Sequence, residues 1–165
     1  MSSRPFRVPD LSDRPHHLVI EREMRADPHT LYVAWTEQFD RWFAAPGAVV
    51  MTPRVNVPFF FETEYAMEPG TPKTRHPHYG RFLRLEPDQL IELTWVTGRG
   101  GTAGAETVVT VELTPLTAGT RLRLTHAGFY DDTARAGTEA AWRDLVLPHQ
   151  DQVLTGTAPA PPPAP

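Results

Sequence analysis

A chain of 165 residues supplies one domain of average size and not two. It is 40% apolar and 22% charged, enough for a real core, and its formal charge of −4 leaves no cationic excess to neutralise nucleic-acid phosphates or anionic lipid headgroups. Cysteine is absent, which removes disulfides, thiolate nucleophiles, iron–sulfur clusters and cysteine-ligated zinc together.

The first fifteen residues, MSSRPFRVPDLSDRP, mix polar residues with prolines and lack the apolar run of a signal peptide. Residues 1–15 are read as a flexible segment. No apolar stretch approaches the roughly 20 residues of a membrane helix, so a cytoplasmic protein with no membrane partner is the default. The first strand is HHLVIEREM, residues 16–24. Asp27 then caps a short helix with Pro28 at its first position, where the missing N–H costs nothing; Leu31, Ala34 and Trp35 share a face. A second short helix carries Phe39, Trp42 and Phe43 at spacings of three and four, and Ala44-Ala45-Pro46-Gly47 stops it.

From residue 49 the period changes to two. Phe59, Phe61, Thr63, Tyr65 and Met67 lie on one face of a strand, with Glu62, Glu64 and Glu68 opposite. The stretch EPGTPKTRHPH links this to a strand over 79–85, whose period puts Arg81 in phase with Tyr79, Leu83 and Leu85. After Pro87-Asp88 the next strand has Ile91, Leu93 and Trp95 in phase. The loop GRGGTAG follows, then a strand with Val109, Val111 and Leu113 in phase. Leu116–Gly119 turns the chain into residues 120–127, where Leu122, Leu124 and His126 point one way. Such short connections specify an antiparallel meander. Glu21 and Glu23 on the first strand, Arg121 and Arg123 on the last and Glu112 on the one before it form a charge code. It predicts that the first strand pairs with the last, residues 18–24 against 120–127.

The final element runs from about Asp132 to Leu154, with Ala134, Ala141, Trp142, Leu145 and Val146 as its apolar stripe. Pro148 is expected to interrupt it near residues 141–144. The end, TGTAPAPPPAP, has no side chain that could anchor a core. The organisation is therefore a domain over 16–154 and a disordered Pro/Ala-rich tail over 155–165.

Seven histidines raise the question of a metal, but no HExxH-like pair exists and cysteine ligands are missing. No metal and no cofactor are expected, and the histidines are read as surface, turn and packing residues. GRGGTAG lacks the order of a phosphate-binding loop and lies between two strands. His126 is either a polar group of a cavity or, the favoured reading, a histidine serving the turn before Gly128 or the helix terminus. Arg81 on an apolar side needs a partner or an open strand end. The aromatic residues are where a hydrophobic ligand would sit, and also what a core of this size needs. The cavity candidates are Trp42, Phe61, Tyr65, Arg81, Trp95, His126 and Trp142, with no catalytic set among them.

Trp35 to Trp42, GRFLRLEPDQLIELTW (80–95), ETVVTVELTPLTAGTRLRLTHAGF (106–129) and Trp142 resemble the family of activators of the 90-kDa heat-shock chaperone ATPase, within the START-type helix-grip superfamily. The resemblance implies an α+β helix-grip fold: a curved antiparallel sheet wrapped on a long C-terminal helix, with two short helices after the first strand. Two positions depart from the family pattern. Asn56-Val57-Pro58 stands where a Gly-Gly hairpin is usual, and Thr138 and Ala141 stand where His and Gly are usual. The resemblance implies a non-enzymatic protein that holds a small or medium hydrophobic ligand between sheet and helix. Its alternatives are a chaperone-regulator-like module with a protein partner and a polyketide cyclase/aromatase-like enzyme. Monomer and homodimer remain open.

Overall fold

The computed structural model describes residues 6–66, 68–98 and 100–156. Seven strands form one antiparallel sheet in the order β1-β7-β6-β5-β4-β3-β2: β1 His16–Met24, β2 Val49–Val50, β3 Pro58–Tyr65, β4 Thr74–Glu86, β5 Leu90–Trp95, β6 Thr107–Pro115 and β7 Thr120–Phe129. Two short helices, α1 Pro28–Thr36 and α2 Phe39–Trp42, sit between β1 and β2. The chain closes with α3 Asp132–Ala141, a π-turn over Trp142–Val146, and α4 Leu147–Leu154. This is the α+β helix-grip architecture, and among the described residues no helix is long and apolar enough to cross a membrane.

The pairing of β1 with β7 runs from Leu18 opposite His126 to Met24 opposite Thr120, as the charge code predicts. Arg123 meets Glu21 at 2.9 Å and Glu112 at 3.6 Å, and Arg121 meets Glu23 at 3.6 Å. All these side chains are half exposed or more, so solvent screening leaves each pair a few tenths of a kcal/mol at most. Their value is register: a slip by one residue would turn Leu18 and Ile20 outward. The core lies on the other face, where Leu18, Ile20, Leu93, Val109, Val111, Leu122 and Leu124 from the sheet meet Trp35, Phe39 and Trp42 from α1 and α2. Asp27 caps α1 through Thr30 N–H at 2.8 Å, with Pro28 opening the helix as its sequence requires.

Two details depart from the sequence reading. β4 begins at Thr74, not Tyr79, and its inward residues are His78 and Phe82, with Gly80 between them; Tyr79 and Arg81 face outward. The assignment of Arg81 to the apolar face is corrected. A register shift between Phe82 and Arg84 brings Leu85 back towards the core, which is why one unbroken period misled. At Gly80 a Cβ would lie 2.2 Å from the Thr94 carbonyl oxygen and 2.6 Å from the Phe59 ring, so only glycine lets β4 cross here.

The second departure is in the last helix. Pro148 has no N–H, and its ring would strike the Asp144 carbonyl in a regular α-helix. The chain widens into a π-turn instead, with Leu147 N–H bonded to the Trp142 carbonyl, five residues back. The extra residue shifts the buried stripe: Trp142, Val146, Leu147, Gln150 and Val153 face inward, while Leu145 is exposed. The placement of Leu145 in the stripe is corrected accordingly.

Residues 1–15 were expected to be flexible. In the described part, Arg14 Nη1 donates to the carbonyls of Glu106 (3.0 Å) and Gly128 (2.9 Å), holding the segment on the sheet end. Of the expected tail over 155–165, residues 157–165 lie outside the described residues.

Candidate ligand-binding site

None of the residues of α3 is fully buried; the helix packs beside β1 and β7 and leaves a gap on the side of β3, β4 and β5. The gap is a cleft of about 480 Å³, within the range of small-molecule sites. Tyr65 at the end of β3, His76, Pro77 and His78 on β4 and Trp95 on β5 line one side. Gly137, Thr138, Ala141, Trp142 and Val146 line the other, and Phe43 and the loop after β5 (Thr97, Gly98, Gly100, Gly101) complete it.

The small residues follow α3 along one side, and at Gly137 a Cβ would meet nothing within 4 Å. The loop over Thr97–Gly104 is closed by its own bonds. Thr97 N–H donates to Thr102 Oγ1 and Thr102 N–H to Thr97 Oγ1, both at 2.8 Å. Pro77 is tolerated inside β4 because Tyr79 N–H bonds Val96 O, so the nitrogen two residues earlier faces the same edge, beyond the end of β5.

Trp142 forms the junction between core and cleft. Its ring lies 5.5 Å from Trp95 and stacks on Trp35 at 5.7 Å and Phe43 at 6.2 Å. Its Nε1–H donates to His126 Nδ1 at 3.2 Å. Indole nitrogen only donates, so Nδ1 is the unprotonated nitrogen and Nε2 carries the hydrogen. That hydrogen goes to Thr107 Oγ1 at 2.8 Å, and the threonine hydroxyl donates in turn to the Trp95 carbonyl. Burial pushes the His126 pKa down to about 3, so the relay is complete with the neutral ring. His126 thus orients Trp142 from behind and does not line the cleft.

His78 is 6% exposed and framed by three rings: stacked on Phe61 at 4.7 Å, and edge-on to Phe43 at 5.5 Å and Trp95 at 5.3 Å. Its Nδ1–H donates to the His76 carbonyl at 3.1 Å, and burial lowers its pKa to about 4. His76 stacks on Tyr65 with centroids 3.7 Å apart.

The seven sequence candidates therefore separate. Tyr65, Trp95 and Trp142 come together in the cleft. Trp42, with Nε1–H on the Ala34 carbonyl at 2.9 Å, and Phe61 are fully buried behind it. Arg81 lies outside it on the outer face, donating to Asn56 Oδ1 at 2.8 Å and to the Arg7 carbonyl, with its guanidinium 5.9 Å from the Phe6 ring. Sequence reasoning missed Phe43, His76, His78, Gly137, Thr138 and Ala141 as lining residues. Continuing the alternation of β4 back from Phe82 through Pro77 would have turned His78 inward. Among the described residues, no Asp, Glu, Lys or Arg lines the cleft, and no three His, Asp or Glu side chains gather as a metal site requires.

Fold and cleft together define the helix-grip class, a sheet holding a helix with a small-molecule-sized gap between them. Residues 25–147 match the family described as Activator of Hsp90 ATPase homolog 1-like protein, and the chain belongs to it. The curated proteins include no match. Solved structures share the fold. Protein MLL2253 from Mesorhizobium loti is 24% identical, with 87% of this chain and 99% of that one covered and a TM-score of 0.66. Protein CV1439 from Chromobacterium violaceum is 22% identical, with 85% and 98% covered and a TM-score of 0.69. DynU16, from the dynemicin biosynthetic locus, is 16% identical, with 87% of this chain and 48% of that one covered and a TM-score of 0.66.

Proposed function

We propose that this protein binds a small or medium, largely apolar molecule in the cleft between α3 and the sheet and performs no chemistry on it. One observation carries the reading: a 480 Å³ gap with aromatic rings on the sheet side, small residues on the helix side and no ionised carboxylate or cation among the described lining residues. Aromatic walls supply contact area without charge, which suits a flat apolar ligand. An acid–base enzyme would need a group titrating near neutrality in reach of substrate. Burial keeps His78 neutral down to about pH 4, His126 has both ring nitrogens occupied within the protein, and His76 Nε2 is engaged by the Tyr65 carbonyl and the Thr74 hydroxyl. The fold likeness to a protein of the dynemicin biosynthetic locus is in keeping with a part in handling a biosynthetic small molecule.

The test is a titration of the purified protein with N-phenyl-1-naphthylamine, a neutral apolar dye that brightens out of water. Saturable one-to-one binding, with quenching of tryptophan emission by transfer from Trp95 and Trp142, is the expected result. A linear, unsaturable signal would count against the reading.

A further inference from the structure

Of the two histidines that line the cleft, His78 is the buried one, and its hydrogen-bonding capacity is fixed and half used. The Nδ1–H is committed to the His76 carbonyl, which can only accept. The neutral ring then presents Nε2 as a bare acceptor, and Nε2 has no partner among the described residues. The ring cannot swing to find one, since Phe61, Phe43 and Trp95 enclose it. Nε2 is not one of the buried atoms left without a partner, so it is reached from the cleft, and a bound group that displaces water there must donate to it or leave it unpaired. Hydroxyls such as Thr138 and Tyr65 accept or donate as the ligand requires, so they discriminate little. His78 discriminates by being unable to donate.

Resting on the binding reading above, we propose that His78 sets the specificity of the cleft: its ligands are neutral, flat aromatic compounds carrying a hydroxyl of phenolic type, whose O–H donates to Nε2. Ketone or ether analogues of the same shape present only acceptors there and are rejected, since two facing acceptors leave both unpaired. A carboxylate analogue likewise brings only acceptors to Nε2 and leaves it unpaired.

The experiment is calorimetric titration of the full chain with 2-naphthol, 2-methoxynaphthalene and 2-naphthoate. 2-Naphthol is expected to bind at least about tenfold more tightly than either analogue. In His78→Phe, which keeps a ring between Phe61 and Trp95, naphthol and its ether should bind within about twofold of each other. A readout independent of the variant is the nitrogen-15 resonance of His78 Nε2 in the wild-type protein. It should move away from the free-acceptor position when naphthol saturates the site and stay put with the ether. Equal affinity for naphthol and its ether in the wild type would overturn the role of His78 while leaving the binding reading intact. Tighter binding of naphthoate would overturn the neutral ligand class. Absence of binding by all three, with no saturable uptake of the neutral dye, would remove both.

Discussion

His126 and His78 are neutral for a physical reason that makes them acid-sensitive. Burial strips water from the charged ring, holding the pKa near 3 for His126 and near 4 for His78 against an ordinary 6.5. The unfolded chain takes up protons on both below about pH 6.5, while the folded chain refuses them until its own pKa is reached. Stability is therefore full above about pH 6.5 and falls below it by up to about 1.4 kcal/mol per pH unit for each histidine, the loss levelling off near pH 4 for His78 and near pH 3 for His126. His29 shifts the other way through its 2.9 Å bond to Asp88, but that pair stands in solvent. Urea unfolding midpoints should accordingly fall steadily between about pH 6.5 and 4.5, and His78→Phe should lessen the slope by about half. A midpoint constant over that interval would show that the two rings are hydrated. That His126 would lie inward was legible from its phase with Leu122 and Leu124. Its partner was half legible: Trp142 stood in the apolar stripe of the last helix and among the cavity candidates with His126, while the Thr107 link that fixes the tautomer came from a register no single strand displays.

At the level of elements, α4 is fixed to the end of β1 by one buried carboxylate. Asp151 accepts the backbone N–H groups of Arg25 and Ala26 at 3.0 Å, with the Arg25 guanidinium at 3.6 Å. These donors lie beyond the last pair of the β1–β7 ladder, Met24 with Thr120, and need another acceptor. Asp151→Ala leaves them without one and should cost about 3 kcal/mol in urea unfolding, whereas Asp151→Asn, keeping one oxygen, should cost about 1 kcal/mol. A loss under about 0.5 kcal/mol for the alanine variant would mean the clamp is replaced by water. The strands themselves could be read from sequence because their inner and outer faces differ in kind: Glu and Arg outside, Ile, Leu and Val inside. β4 resisted, since Tyr79 and Leu83 on one face and His78 and Phe82 on the other are nearly equal in polarity. The π-turn resisted for a related reason. Pro148 announces an interruption, but not whether the helix will kink, end or widen, and only the widened turn exposes Leu145.

For the molecule as a whole, the question posed by the composition was whether so many aromatic residues fill a core or line a cavity. They do both, in separate places. Trp35, Phe39, Trp42 and Phe61 are fully buried in a packed cluster, with Phe39 and Phe61 stacked at 4.8 Å. Tyr65, Trp95 and Trp142 form its border with the cleft. Sequence could not separate these roles, because packing and lining call for the same side chains; the small residues of α3 were the distinguishing signal. Gly137 and Ala141 are one helical turn apart and both line the cleft, and at Gly137 an added Cβ meets nothing within 4 Å, so leucines at the two positions would extend into the cleft. They also improve helix propensity at residue 137, where glycine costs about 1 kcal/mol relative to alanine. The most direct measurement is therefore the titration with N-phenyl-1-naphthylamine repeated on the double variant Gly137→Leu/Ala141→Leu, with thermal melting alongside. A melting midpoint equal to or above wild type, with dye affinity reduced at least about tenfold, is the predicted result. A folded double variant that binds the dye as tightly as wild type would place the ligand elsewhere and contradict the account.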